Sequence, residues 1–480
     1  MAVLSVLLLL AAFNYSNDRW GVYSKDRLHF INDIQTNRFA LKTWHVLDNP
    51  LLYDCLILGS SRVEMIDTRR FPGSCYNFTH SGGTPRDHLT ALRQFTRAGL
   101  KFEKVYLGLD EFSYIQDPDV GRIQKMRRPP PGNLLEWASF HAAYLLHFPQ
   151  YRDWEIFNGH APSVANEWYV QSPQSSQPRL RQQARRAFSK AKLHERSFET
   201  VQATYWGEGD YVVEAVADVS EIVALSKQYG FELTLFFNPL HYTTYLQQDL
   251  QRLERFLKGV VRIAPVLDFS GLHKFSLDNR YWMESSHFNT RLADKMIPYL
   301  QGTTALALPM GQLLVQDQLE YQLELKYERD IAALLAADRL RGSHLIPLKL
   351  AERLMAVASS KVPAQFSEMD KVTRSGDYYI AEEVAARIDI AMPCRGPGRT
   401  QLLALDLEFR EADEIYLYSP GALGDFSNRR RQRFFVPPGR QNLYVLSRGI
   451  ACDGSVRISP FTGRGTFRLH EMTRAYLPPP

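Results

Sequence analysis

The sequence predicts a doubly wound, mainly parallel α/β sheet, with a helical cap insertion and a C-terminal β-sandwich domain. Three observations carry this. Between about 50 and 300, short apolar runs alternate with segments of helical spacing, the pattern of parallel strands joined by crossover helices. A stretch rich in Pro, Arg and aromatic residues separates the third apolar run from the fourth. From about 385 the runs are short, alternating and broken by Gly or Pro, as in sandwiches. The 480 residues also exceed what one core usually supports, about 250–300.

The chain opens with AVLSVLLLLAAF (2–13), almost purely apolar. It is shorter than the ~20 residues a spanning helix needs and lacks the basic start of a secretory signal. Three readings stay open: a signal anchor clipped at its start, a short signal peptide, or a buried core helix. The polar, aromatic NYSNDRWGVYSKDR that follows suits the zone just outside a membrane. Residues 1–20 are therefore read as an anchor or signal segment.

The α/β domain is assigned to 21–303. LYDCLILG (52–59), CYNFT (75–79), KVYLGL (104–109), FELTLFF (231–237) and VRIAPVLDF (261–269) read as its five strands. Helical spacing appears at Asp87–Ala98 (Leu89, Leu92 and Phe95), at Val212–Val223, at Leu246–Leu257, and around Leu292, Met296 and Leu300. Gly230 stops the second of these helices. This order predicts ligands at the carboxyl ends of the strands.

The insertion spans 113–210. A loop of that length without structure is unusual, so a helical cap over the active face is expected. QSPQSSQP (171–178) reads as exposed loop. RLRQQARRAFSKAK (179–192) is basic and helix-prone, which suits a solvated face or contact with acidic lipid or glycan. Residues 304–370 read as a helical connector, and 371–480 as the sandwich, with LLALDLEF, EIYLYS, RFFVPPG, NLYVLS, VRISP and TFRLHEM as strands. Arg429–Arg433 (RRRQR) is placed in a sandwich loop.

Composition narrows the function. The net charge of +5 is weak for this size and gives no nucleic-acid signature. Cys55, Cys75, Cys394 and Cys452 form no CxxC, so no metal site is expected. They pair as Cys55–Cys75 and Cys394–Cys452 in an oxidising compartment, or stay as four free thiols.

Two segments carry chemistry. In LILGSSRVE a buried strand ends at Gly59, which puts Ser60, Ser61 and Arg62 on a turn at the mouth of the sheet, where turn amides face a developing oxyanion. The plainer reading is a turn with a helix cap. In YWMESSHFN (281–289), Glu284 and His287 lie three apart. That spacing lets a carboxylate orient an imidazole, which then takes a proton from a serine. His241, in NPLHY, along with His80 and His88, is a candidate pocket residue. Asp268 is an alternative partner for the histidine.

In order and placement these blocks resemble the SGNH/GDSL hydrolase superfamily. GSSR (59–62) matches its nucleophile block, YNFTHSGGTP (76–85) resembles its Gly block, LGLDEFSY (107–114) sits where its Gly-x-Asn block belongs, and ESSHFN (284–289) matches its Asp-x-x-His block. The resemblance covers roughly 50–300 and implies a flavodoxin-like sheet. It further implies Ser61 as nucleophile, His287 as base and Glu284 as orienter. Ser61, Gly82, Gly83 and the Asp110 position would form the oxyanion site, with Arg62, Asn77 and His241 lining the pocket. Two residues depart from the pattern. Glu284 replaces Asp, and Asp110 replaces a donating Asn, although an ionised carboxylate only accepts. Asn77 or Arg62 could substitute as donor.

GSSR…SGGTP…GLDEFSY behind a hydrophobic N-terminus is similar to membrane-anchored bacterial envelope proteins of alginate O-acetylation and teichoic-acid D-alanylation. That similarity implies a serine esterase or O-acyltransferase acting on acyl or acetyl esters of a cell-envelope polysaccharide. It needs no cofactor and takes an acylated polysaccharide or acyl donor, with a membrane acyltransferase as partner. It places the chain in the periplasm or another extracytoplasmic space, at the inner membrane. Two other readings stand: a non-catalytic glycan-binding or scaffold subunit, which Asp110 favours, and a lipase-like enzyme acting on membrane lipids.

Overall fold

The computed structural model describes residues 2–18, 22–23, 37–118, 134–149, 209–305, 310–336, 342–382, 386–392, 400–411, 413–420, 426–448, 455–459 and 465–477. Six strands form the first sheet: β1 (Cys55–Leu58), β2 (Cys75–Asn77), β3 (Lys104–Leu109), β4 (Glu232–Phe237), β5 (Val266–Asp268) and β6 (Gln312–Leu314), in the order β2-β1-β3-β4-β5-β6. The first five are parallel, and β6 closes the edge antiparallel to β5.

Both faces of this sheet are covered, which explains why its strands read as unbroken apolar runs. On one face Leu56, Leu58, Val105, Leu107 and Leu235 join the apolar sides of helices Pro85–Arg97, Val212–Tyr229 and Leu250–Val261. On the other, Cys55, Ile57, Tyr106 and Phe236 meet Leu292, Met296 and Leu300 of helix Thr290–Leu300. Thr84 and Asp87 start the first of these helices with a reciprocal capping box behind Pro85. Left-handed Gly230 ends the second.

The chain leaves β1 for β2 on one side, then returns to lay β3 on the other. The carboxyl ends of β1 and β3 therefore flank the crevice where the order reverses, the place at which open α/β sheets bind ligands. Cys55 and Cys75 face each other across the β1–β2 register and are joined by a disulfide. Cys394 and Cys452 lie outside the described residues.

The C-terminal part holds a seven-stranded and a five-stranded antiparallel sheet. In the first, Gln401–Phe409 lies between Gly439–Arg448 and Gly465–Tyr476. In the second, Asp413–Pro420 lies between Phe426–Val436 and Ser455–Ser459. Leu403, Leu405 and Leu407 of the larger sheet share a core with Ile390, Ile415 and Val456 of the smaller. Helix Leu348–Ala356 buries Leu350 and Leu354 with Leu402 and Leu446, so the packing continues into the α/β core.

The structure corrects several sequence expectations. VRIAPVLDF is strand only over Val266–Asp268, because helix Leu250–Val261 takes its start. The expected connector holds helices Leu319–Ala336 and Leu348–Ala356, but also β6 and three strands of the C-terminal sheets, Gly342–Leu345, Ser360–Pro363 and Phe366–Asp370, so those sheets begin well before 371. Arg429–Arg433 lies within strand Phe426–Val436, where Arg431 and Arg433 pair with Tyr418 and Tyr416, and not in a loop. Of the expected cap, helices Phe112–Ile115 and Leu134–Leu145 are described; 171–178 and the basic 179–192 lie outside the described residues. Helix Ala2–Asn17 is no core helix, since Val3, Leu4, Leu8 and Leu9 are exposed. Among the described residues, no helix is long and apolar enough to cross a membrane.

Candidate active site

The turn that carries Ser61 is built by small residues. Gly59 adopts φ +152°, and a Cβ there would stand 2.5 Å from Val63 Cγ2, so a side chain is excluded by conformation and space alike. Ser60 caps the short 3₁₀ turn Ser61–Met65. Its hydroxyl accepts from the Arg62 N–H (3.3 Å) and donates to Asp110 Oδ2 (2.5 Å). As the first residue of that turn, Ser61 has an N–H that intra-turn bonding leaves open. A second turn lies alongside: Ser60 and His80 form an isolated bridge, and the His80 N–H donates to the Gly59 carbonyl (3.4 Å). A Cβ on Gly83 would come within 2.9 Å of that same carbonyl, so only glycine permits this approach.

The histidine arrives on the loop ahead of helix Thr290–Leu300. The Met283 N–H donates to the His287 carbonyl (2.8 Å), Trp282 bridges Phe288, and Thr244 Oγ1 donates to the Ser285 carbonyl (2.5 Å). This fold of the loop sets His287 Nε2 2.8 Å from Ser61 Oγ. On its other edge, His287 Nδ1 bonds Glu284 Oε1, and Glu284 Oε2 accepts the Ser286 N–H (2.9 Å). Burial pushes the Glu284 carboxyl upward, but its bonds to His287 and Ser286 outweigh this and hold it below the usual value. An ionised carboxylate only accepts, so Nδ1 carries the hydrogen and Nε2 keeps a lone pair toward Ser61. Ser61, Glu284 and His287 are all half-buried, open to an incoming molecule.

Behind this trio lies a buried hub. The fully buried Arg62 guanidinium is doubly bonded to buried Glu111. It also donates to the Ser286 carbonyl (2.9 Å) and to Ser286 Oγ (3.1 Å), and it lies over the Phe112 ring. Arg62 thus ties the Ser61 turn to the histidine loop, with Glu111 neutralising it. Sequence reasoning missed Glu111 and Ser286. One signal was present: an arginine beside a buried strand needs a carboxylate, and Glu111 follows the neighbouring strand.

This hub yields a prediction. Arg62→Met strands Glu111 in the interior, so unfolding free energy should drop by about 3–5 kcal/mol in a urea titration. The double variant Arg62→Met/Glu111→Leu removes both charges and should recover most of that loss, because replacing a whole buried pair is often near neutral. If the double variant is as unstable as the single one, the hub is not what Arg62 supports.

Other predicted site residues sit elsewhere. Asp110 is buried, and its carboxylate accepts from Ser60 Oγ, the Phe112 N–H (3.0 Å) and Asn238 Nδ2 (3.4 Å). It anchors the turn that carries Ser61, and as a carboxylate it is no donor. Burial pushes its carboxyl up to about 6, although Arg62 favours the charged form. Arg62 is buried and not pocket-lining. Asn77 spends its amide on the Val63, Glu64 and Ile66 carbonyls (3.3–3.4 Å), stitching the turn closed from beneath. Neither residue replaces the missing donor. The Gly83 N–H donates to the His80 carbonyl (3.3 Å), which leaves Gly82 as the glycine whose amide that turn does not use. His241 is buried between Thr243 Oγ1 (2.7 Å) and Asn279 Oδ1 (3.0 Å), and burial pushes it down to about 4. Asp268 pairs with buried Lys326 (2.6 Å), not with His287. His80 and His88 are buried with their rings 5.3 Å apart. Among the described residues, no three His, Cys, Asp or Glu side chains group closely enough to hold a metal ion.

No family model and no curated protein matches the sequence. Among solved structures, one titled "BiXyn10A CBM1 APO" is 8% identical with a TM-score of 0.19, over 25% of this chain and 98% of that one. A family 29 carbohydrate-binding module is 8% identical with a TM-score of 0.17, over 24% and 91%. A carbohydrate-binding module of Cellvibrio mixtus lichenase 5A, solved with cellotriose, is 7% identical with a TM-score of 0.13, over 26% and 94%. Likeness this slight assigns neither a family nor a ligand.

Proposed function

We propose that the chain is an extracytoplasmic serine esterase or O-acyltransferase of the SGNH type, acting on acyl or acetyl esters of a cell-envelope polysaccharide. The observation that carries this is the 2.8 Å approach of Ser61 Oγ to His287 Nε2, with Nδ1 bonded to Glu284. It stands at the carboxyl end of β1 in a flavodoxin-like strand order. Ser61 Oγ attacks the ester carbonyl while His287 Nε2 takes its proton. The Ser61 N–H and the Gly82 N–H receive the oxyanion. His287 then protonates the departing alcohol, leaving an acyl-serine. Water or a sugar hydroxyl, deprotonated by the same imidazole, attacks that ester and frees Ser61. A Cys55–Cys75 disulfide suits an oxidising compartment.

Fluorophosphonate labelling together with aryl acetate hydrolysis tests the assignment. The parent protein should label and turn over substrate, and Ser61→Ala should do neither. Equal labelling of the two would end the serine assignment.

A second reading, a glycan-binding or scaffold subunit, is favoured by a cleft of about 480 Å³ across the seven-stranded sheet, lined by Tyr444, Asn442, Asp406, Glu471 and Lys361. An aromatic ring among amide, carboxylate and ammonium groups suits sugar rings and hydroxyls. Retention on polysaccharide by a protein inert to fluorophosphonate would favour this reading over the first.

A further inference from the structure

After β3 the chain runs from Asp110 to Gln116, and its polar side chains at Asp110, Glu111, Ser113 and Tyr114 are buried. Gln116 is the exception, half-buried at the end of helix Phe112–Ile115. That helix is held at both ends. Asp110 Oδ1 accepts the Phe112 N–H (3.0 Å) at its start. Near its end the buried Tyr114 hydroxyl donates to Gln248 Oε1 (3.1 Å), and the Tyr114 carbonyl accepts the Tyr211 N–H (2.9 Å). Gln116 therefore leaves a fixed support.

Topology carries this side chain to the Ser61 turn. β1 lies between β2 and β3, so the loops that leave β2 and β3 flank the turn that leaves β1. These two loops touch. A Cβ on Gly82 would have the Gln116 carboxamide as its nearest neighbour beyond Ser81 and Gly83, with Oε1 at 3.3 Å, Nε2 at 3.4 Å and Cδ at 3.8 Å. Gly83, the next residue, packs against the carbonyl of Gly59, two residues before Ser61. Standard geometry puts the Gly82 nitrogen about 2.5 Å from that Cβ position, so Gln116 Nε2 lies within about 6 Å of it. Two N–H donors that share one oxygen can stand up to about 6 Å apart.

Resting on the esterase reading, we infer that the Gln116 carboxamide is a side-chain donor to the oxyanion, acting beside the Gly82 N–H. As the bond from Ser61 Oγ to the carbonyl carbon forms, the carbonyl π pair moves onto oxygen and His287 takes the serine proton. A hydrogen on Gln116 Nε2 meets the charge that develops there. A neutral amide attracts the ester oxygen weakly and the oxyanion strongly, so its effect falls on kcat more than on KM. A carboxylate at the same place would only accept.

Steady-state hydrolysis of an aryl acetate by the full chain, with Gln116→Leu and Gln116→Glu beside the parent, is the test. Each variant should lose about 10²–10³-fold in kcat with little change in KM. Binding of an aryl trifluoromethyl ketone, which a serine hydroxyl converts to a tetrahedral oxyanion, separates this role from a structural one. Its Kd should rise by the factor by which kcat/KM falls, while the urea midpoint stays at the parent's value. A Gln116→Leu variant with kcat within about threefold of an active parent would overturn the donor role and leave the esterase reading intact. A rise in KM alone would make Gln116 a contact of the bound ester and would equally overturn it. A parent inert to both the ester and fluorophosphonate would sink the esterase reading, and this role with it.

Discussion

In a His287→Gln variant, ester turnover is expected to fall by about 10⁴–10⁶-fold, the scale on which removing a general base from a serine triad acts. The geometry explains the size. Ser61 Oγ has the imidazole Nε2 at 2.8 Å, and a glutamine there can hydrogen-bond but cannot accept and return a proton at neutral pH. Glu284→Gln should cost less, about 10²–10⁴-fold. It keeps the spacing but removes the charge that fixes the tautomer and stabilises the imidazolium. The Ser61→Ala/His287→Gln double variant should be no worse than either single one, because the groups act as a unit. Steady-state kinetics with an aryl acetate measure all three. Additive losses would mean that Ser61 and His287 do not act on one another, whatever their separation.

The second large effect is acid lability. His88, His241 and His273 are buried, and burial pushes them down to about 3, about 4 and about 3. Among the described residues, neither ring nitrogen of His88 has a hydrogen-bond partner. Free of the fold, each would titrate near about 6.5. Below that pH the unfolded chain binds protons that the native chain refuses, so stability falls as pH falls. At pH 5 each histidine contributes a loss of about 2 kcal/mol. The raised carboxyls of Asp110 and Asp330 act in the opposite direction. They take protons in the native state before the unfolded chain does, and Asp110 alone returns on the order of 1 kcal/mol at pH 5. The net expectation is a loss of roughly 3–5 kcal/mol between pH 7.5 and pH 5, measured by urea unfolding at each pH. A His88→Phe variant should lose less, by about the share of one histidine. An unchanged unfolding free energy between the two pH values would refute the account.

Residues whose role follows from local spacing were legible in the sequence. Glu284 and His287 sit three apart on the loop ahead of a helix, and Ser61 follows the glycine that ends a buried strand; the fold needed only to bring that loop to that strand end. The five parallel strands were legible too, because burial on both faces leaves long apolar runs. Roles that depend on a distant partner were not. Arg62 beside a nucleophile reads as an anion binder until Glu111, on another strand's end, neutralises it. Asn77 reads as a pocket donor until its amide is seen to spend itself on three carbonyls. Strands β6 and Gly342–Leu345 are three and four residues long, too short for a period to show, and each exists through a partner far along the chain.

The Cys55–Cys75 bond has a further consequence. It closes a covalent ring of sequence separation 20, and that ring contains Gly59, Ser60, Ser61 and Arg62. In the chain-entropy picture such a closure is worth about 3 kcal/mol, and it acts by restricting the unfolded chain. A molecule with those thiols reduced would unfold more readily, so the share of chains that keep Ser61 on its turn would follow the redox state of the surroundings.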